Sequence, residues 1–253
     1  MPEALPHLEG IVASCSIGRD RLQQGGVPSE KIVTIPLGID LETFQLAGAE
    51  QRAAARATLG LPPAALVVGS FQKDGQGWDE GDQPKLIKGP DVLLAVLEAL
   101  HQRMPSLHVL LTGKARGFVK QGLRARGIPY THRVLEDYRQ IVACYHALDL
   151  YVIPARDEGG PASLLESWAT GVPVVSTQVG MPADLIRHGE NGWLAPVGEG
   201  DALVEAGLAV LQNATLRTTV TRQAYMDAQS YSWPQIAARY AAEIYQPYLA
   251  SVR

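Results

Sequence analysis

The sequence predicts an α/β protein built on a parallel sheet, and three observations carry the prediction. Short apolar runs alternate with amphipathic stretches along all 253 residues, as repeated β-α units require. No internal repeat or low-complexity tract interrupts that alternation. One unit, Leu150 to Gly171, also announces each of its steps as strand, turn and helix.

In chain order, strands are predicted near Ile11–Ala13, Ile32–Ile35, Leu66–Gly69, Val109–Thr112, Leu150–Ile153, Val174–Ser176 and Gly192–Leu194, each a short apolar run. Between and after them, apolar residues at helical spacing predict helices near Arg19–Gln24, Gln51–Leu59, Pro90–Arg103, Phe118–Arg126 and Asp137–Ala147. The same spacing continues near Ala162–Thr170, Pro182–Arg187, Asp201–Gln212, Leu216–Gln229 and Gln235–Leu249. Crossovers between parallel strands are right-handed, and ligands of such sheets sit beyond the carboxyl ends of the strands. Ser70, Gly113 and Glu158 fall there. The segment Lys73–Pro84 is rich in Gly and Asp and far longer than most strand–helix loops, so it is functional or mobile.

In the Leu150–Gly171 unit, a buried strand bounded by Pro154 leads into Arg156-Asp157-Glu158-Gly159-Gly160-Pro161 and then a helix that stops at Gly171. Pro161 suits the first helical position because it has no N–H to leave unpaired. The free amides of Ala162, Ser163 and Leu164 then favour an anion such as a pyrophosphate. Helical side chains lean toward their own N-terminus, so Glu166 points back to that anion. Its two oxygens can accept from a pair of vicinal hydroxyls, as on a ribose. Glu158, at the strand exit, can do the same for a sugar. Without context the two carboxylates read first as exposed helix-flank charges.

Composition sets outer limits. Apolar residues make up 46% and charged residues 19%, an ordinary globular balance. The net charge of −4 argues against nucleic acid or an anionic membrane as the main partner. Cys15 and Cys144 give no disulfide or metal framework and read as small core fillers, and the six histidines lack metal-ligand spacing. Neither a signal peptide nor a membrane-length apolar run is evident, so a cytoplasmic location is the default.

The segment from Glu158 to Glu166 resembles the E-x7-E signature of retaining GT-B glycosyltransferases, family 4 in particular. Gly171-Val172-Pro173-Val174-Val175-Ser176-Thr177, Val179-Gly180-Met181-Pro182 and His188-Gly189-Glu190-Asn191-Gly192-Trp193-Leu194 resemble the steps that follow the signature. Upstream, Ile35-Pro36-Leu37-Gly38-Ile39-Asp40 with Phe44 resembles the entry to the C-terminal domain. The resemblance implies a Rossmann-like doubly wound domain over residues 31–253, the donor-binding half of a GT-B fold, after a remnant of the acceptor half at 1–30. It implies transfer of a sugar from a nucleoside-diphosphate donor with retained configuration, no cofactor and no metal in the chemistry. A sugar or lipid-linked acceptor, and a self-contact or separate acceptor-domain partner, would complete the reaction.

By this resemblance Glu166 holds the ribose, Glu158 the sugar hydroxyls, and Gly159, Gly160 and the amides of Ala162, Ser163 and Leu164 the pyrophosphate. Lys88 of Lys88-Gly89 meets charge developing on the leaving group, so Lys88 and Glu158 are the catalytic pair. Ser70 stands where the family has an Arg, with Lys73 as the substitute cation; Lys73 and Lys85 could also be plain loop charges. Gly113, in Thr112-Gly113-Lys114-Ala115-Arg116-Gly117, resembles the turn beside the nucleotide but could be a simple tight-turn glycine. Arg133 and Val134 align with the segment that holds the base, largely through backbone. Three other readings compete: a nucleotide-sugar epimerase of the same fold, a binding module inactive without an acceptor domain, and a structural Rossmann domain that has lost its ligand.

Overall fold

The structure, a computed structural model, describes residues 7–251; residues 1–6 of the predicted remnant and 252–253 of the predicted domain lie outside it. Six parallel strands form the main sheet: β3 (Leu66–Ser70), β4 (Leu107–Thr112), β5 (Tyr130–Arg133), β6 (Leu150–Ile153), β7 (Val174–Thr177) and β8 (Trp193–Ala195). Their order is β5-β4-β3-β6-β7-β8. The order reverses between β3 and β6, and in open parallel sheets ligands sit at the carboxyl ends of the strands at such a switch point. Two short parallel strands, β1 (Ile11–Ala13) and β2 (Ile32–Thr34), form a separate sheet.

Alternation along each strand divides the core into two layers. Val67, Leu110, Tyr151, Ile153 and Val174 face one cluster, with α2 (Ala49–Leu59), α5 (Ile141–His146), α6 (Ala162–Ala169) and α9 (Ala214–Ala228) on that side. Val68, Val109, Leu111, Val152 and Val175 face the other, covered by α3 (Pro90–Arg103), α4 (Gly117–Ala125) and α8 (Gly200–Gln212). Both faces are buried, so the strands carry no polar alternation, which is why they read as plain apolar runs.

Strand β5 escaped the sequence reading. Its residues Tyr-Thr-His-Arg contain no apolar run because it is an edge strand, half-covered and paired only with β4. All ten predicted helices are present, with ends shifted by a few residues. The Asp137–Ala147 helix is shorter than predicted, its first turn being a tighter Tyr138–Gln140 turn. The Lys73–Pro84 segment is pinned rather than loose: Gly75 bridges Pro84, and Phe118 N donates to Gly81 O at 3.1 Å.

Around the small sheet, α1 (Ser16–Gln24) docks on α7 (Gly180–Leu185) through Ser16 N and Asp184 Oδ2, 2.7 Å apart. Cys15 is buried and caps α1 through its sulfur; Cys144 is also buried, and burial raises its thiol to about 11. Both are core fillers. At the other end, α10 (Trp233–Tyr240) runs through a π turn at Ala241–Tyr245 into α11 (Gln246–Ser251). Ile236 is buried, while Trp233 and Tyr248 are exposed. Among the described residues no helix is long and apolar enough to cross a membrane.

Candidate functional site

Backbone contacts across the switch point bring the two predicted catalytic residues together. The chain leaving β6 donates from Arg156 N to Ile87 O at 2.8 Å, lacing it to the Leu86–Lys88 turn. Gly89 closes that turn with φ +65°, and the Pro154 carbonyl occupies the space a Cβ would need. A side chain at 89 therefore meets both strain and collision. Arg156 clamps the start of α3 through two bonds to Asp91, at 2.7 and 2.6 Å. The result is an ion pair between Lys88 Nζ and Glu158 Oε1, with both side chains mostly buried. Gly89→Ala should pull this pair apart. We expect a fall in melting temperature together with weakened ligand binding, read from thermal unfolding with and without nucleotide.

Gly159 and Gly160 form a close-packed turn. Met181 N donates to Gly159 O at 2.9 Å, and a Cβ on Gly160 would lie 2.8 Å from Met181 Sδ. Helix α6 then begins at Ala162, one residue after Pro161, which acts as its cap rather than its first residue. The Leu164 amide donates to Pro161 O at 3.1 Å, so of the three predicted anion-binding amides it is engaged within the turn. The hydroxyl of Ser163 turns inward to the Tyr151 phenol, which also accepts from Phe71 N at 3.0 Å. Burial raises the Tyr151 phenol to about 12.

Glu166 is enclosed. It is only 4% exposed, and its oxygens accept hydrogen bonds from two phenols, Tyr138 to Oε1 and Tyr145 to Oε2 at 2.6 Å. Burial raises its carboxyl above the ordinary range, and the two phenols oppose that shift. Below lies a cluster of rings: Phe71 meets Tyr145 at 4.9 Å and Tyr151 at 5.3 Å between centroids, and Phe44 meets Tyr138 at 6.1 Å. Of these rings Tyr145 and Tyr151 are wholly buried, whereas Tyr138 is exposed.

A cation does lie against position 70, but it is buried and already paired. Ser70 is buried at the end of β3, and its carbonyl accepts from Arg116 Nη1 at 2.7 Å. Arg116 also pairs with Asp74 at 2.9 Å, both side chains fully buried. Burial raises Asp74, and the guanidinium opposes it. This pair fastens the long loop beneath Ala115, which holds an unusual φ of +57°. Lys73, next to Asp74, rests its ammonium over the exposed Trp78 ring, 3.8 Å from the centroid. Within this Gly- and Asp-rich loop, Asp74 is a buried anchor.

On the other side of β3, Gly113 adopts φ +84° and donates to Arg133 O at 2.9 Å, joining two predicted base-side residues. The Arg133 side chain turns away to Leu59 O at 2.9 Å, while Val134 is exposed. Ser70, Gly113, Arg133 and Glu158 thus stand at or just beyond the carboxyl ends of β3, β4, β5 and β6.

Comparison with known proteins bears on the family and the fold. Residues 83–213 match the family described as glycosyl transferases group 1. The chain belongs to that family. A D-inositol 3-phosphate glycosyltransferase of Saccharomonospora viridis is 30% identical over 237 residues, which cover 88% of this chain and 52% of that protein. Anabaena HepE, solved in complex with UDP-glucose, superposes with a TM-score of 0.80 at 21% identity, over 94% of this chain and 64% of its own. The C-terminal domain of a group 1 glycosyl transferase, LpcC of Francisella tularensis, gives a TM-score of 0.65 at 17% identity, over 78% of this chain and all of that domain. The fold is that of GT-B glycosyltransferases, and the chain spans about half the length of the curated relatives it matches.

Within this group 1 chain, sequence reasoning missed Tyr138, Tyr145, Asp74 and Arg116. Tyr145 and Arg116 had partial signals, an aromatic on an apolar helix face and a cation in a glycine-rich turn. Nothing in the local sequence ties either to its acidic partner, because each pair joins different elements.

Proposed function

We propose that this chain is the donor-binding part of a retaining, metal-independent glycosyltransferase and holds a nucleoside-diphosphate sugar at the β3–β6 switch point. The observation that carries the reading is the Lys88–Glu158 ion pair at the exit of β6, in the same strand–turn–helix unit as Glu166 and the start of α6. In this arrangement the ribose reaches Glu166, the diphosphate reaches the Ala162 and Ser163 amides, and the sugar hydroxyls reach Glu158. Lys88 supplies positive charge where the diphosphate departs, a term that grows as the glycosyl bond breaks. Lys73 is a second cation for that charge once it leaves Trp78. Gly113, Arg133 and Val134 flank the base, and Ser70 forms the floor between the halves of the crevice. Retention, the absence of a cofactor and residues 1–30 as part of an acceptor domain rest on the resemblance of the sequence to family 4 enzymes.

A thermal-shift panel of UDP-, GDP- and ADP-sugars tests the reading, since ligand at one hundred times its dissociation constant stabilises by about 2.7 kcal/mol. Glu158→Ala should weaken a nucleotide-sugar more than the bare nucleotide. Equal losses for the two ligands would remove Glu158 from the sugar.

A further inference from the structure

Glu166 lies behind two phenols of different character. Tyr145 is wholly buried among Phe44, Phe71 and Tyr151, whereas Tyr138 is 59% exposed. The turn that carries Tyr138 is self-sufficient. Asp137 Oδ1 accepts from Arg139 N at 2.9 Å, Gln140 N donates to Asp137 O at 3.1 Å, and Glu136 N donates to Gln140 Oε1 at 3.1 Å. None of these bonds uses the Tyr138 side chain. Its ring contact with Phe44 is a tilted one at 6.1 Å, and its other anchor is the Glu166 carboxylate. Rotation about the side-chain bonds would break one hydrogen bond and leave the backbone turn intact.

We propose that Tyr138 is a displaceable plug: its phenol occupies Glu166 Oε1 in the ligand-free chain and swings out when a ligand hydroxyl takes its place. The inference rests on the proposed ribose role of Glu166. It follows from three facts together: the carboxylate is sealed, one of its two covers is wholly buried among other rings, and the other is exposed and held by little else. Exchange of one O–H donor for another keeps a buried carboxylate partnered throughout, which avoids the cost of leaving it bare. A ligand without a hydroxyl at that place cannot make the exchange, so Tyr138 also makes the site selective for ribose-bearing nucleotides. The apparent affinity carries a tax equal to the fraction of molecules with the plug removed.

The test is calorimetric titration of the parent chain and Tyr138→Phe with UDP and GDP. The phenyl ring keeps the Phe44 contact but cannot hold Glu166, so the variant should bind the preferred nucleotide roughly tenfold more tightly, as lifting a tenfold closed bias would require. Tyr145→Phe, which alters the fixed cover, should show no such gain. Unchanged or weaker binding by Tyr138→Phe would overturn the plug, since a phenol that stays to orient Glu166 would be missed in the complex. Equal tightening by Tyr145→Phe would overturn it too, because the gain would then come from freeing the carboxylate in general. If the parent binds neither nucleotide nor any of the sugar panel, it is the ribose reading that fails. Carbon-13 labels on the tyrosine rings give a second readout: Tyr138 resonances should move on nucleotide addition, and a static Tyr138 would contradict the exchange.

Discussion

Glu166→Ala is expected to abolish nucleoside-diphosphate binding, the largest effect of any single change in this chain. Hydrogen bonds to a charged group are each worth about 1.5–3 kcal/mol, so losing two ribose bonds corresponds to a drop of roughly two orders of magnitude or more in affinity. Isothermal titration against the tightest-binding nucleotide reads this directly. The variant also leaves the buried Tyr145 phenol without an acceptor, which costs the fold a modest amount. Glu166→Gln separates the two effects because its amide oxygen still accepts from a phenol.

The same carboxylate sets a pH dependence. Burial raises Glu166 above its ordinary 4.5 in the folded chain. The fold therefore binds that proton more strongly than the unfolded chain does. Its contribution to stability is complete below about 4.5 and is lost as pH rises through the raised value. Glu166→Gln cannot ionise, so relative to the parent it should gain melting temperature across that window. A difference between the two that stays flat with pH would contradict the burial of a charged Glu166.

Lys88→Ala is expected to have the second-largest effect, on turnover rather than on donor binding. Charge on the departing diphosphate is greatest in the transition state, so a cation placed there acts mainly on kcat. Removing one such stabilising group costs on the order of a hundredfold or more in kcat, measured with KM in the complete enzyme. The structure adds a condition, because Lys88 also neutralises Glu158. Residues in direct contact do not contribute additively, so the Lys88→Ala/Glu158→Ala double variant should lose less than the product of the single losses. A change confined to KM would demote Lys88 to a ground-state contact.

Much of this site was legible in the sequence, and for identifiable reasons. Glu158, Gly159, Gly160 and Glu166 lie within one strand–turn–helix unit, where spacing alone fixes relative position. Lys88-Gly89 was legible through its motif, and the structure supplies the physical reason in the Pro154 carbonyl that leaves room only for glycine. The burial of Glu166 was not legible, because helix geometry gives direction but not what other elements lay over it. Tyr138 and Tyr145 reach it from the segment after β5, an edge strand too polar to show as an apolar run. Asp74 escaped for a similar reason. In a Gly- and Asp-rich loop every acid reads as solvated until a buried partner such as Arg116 is seen.

The most direct test of the central claim is a crystal structure of this chain grown with whichever of the UDP-, GDP- or ADP-sugars stabilises it most. The account predicts the ribose hydroxyls on Glu166 with the Tyr138 phenol displaced, the diphosphate over the start of α6 near Lys88, and the sugar against Glu158. A nucleotide bound elsewhere, or bound in the crevice with neither Glu166 nor Lys88 in contact, would contradict it.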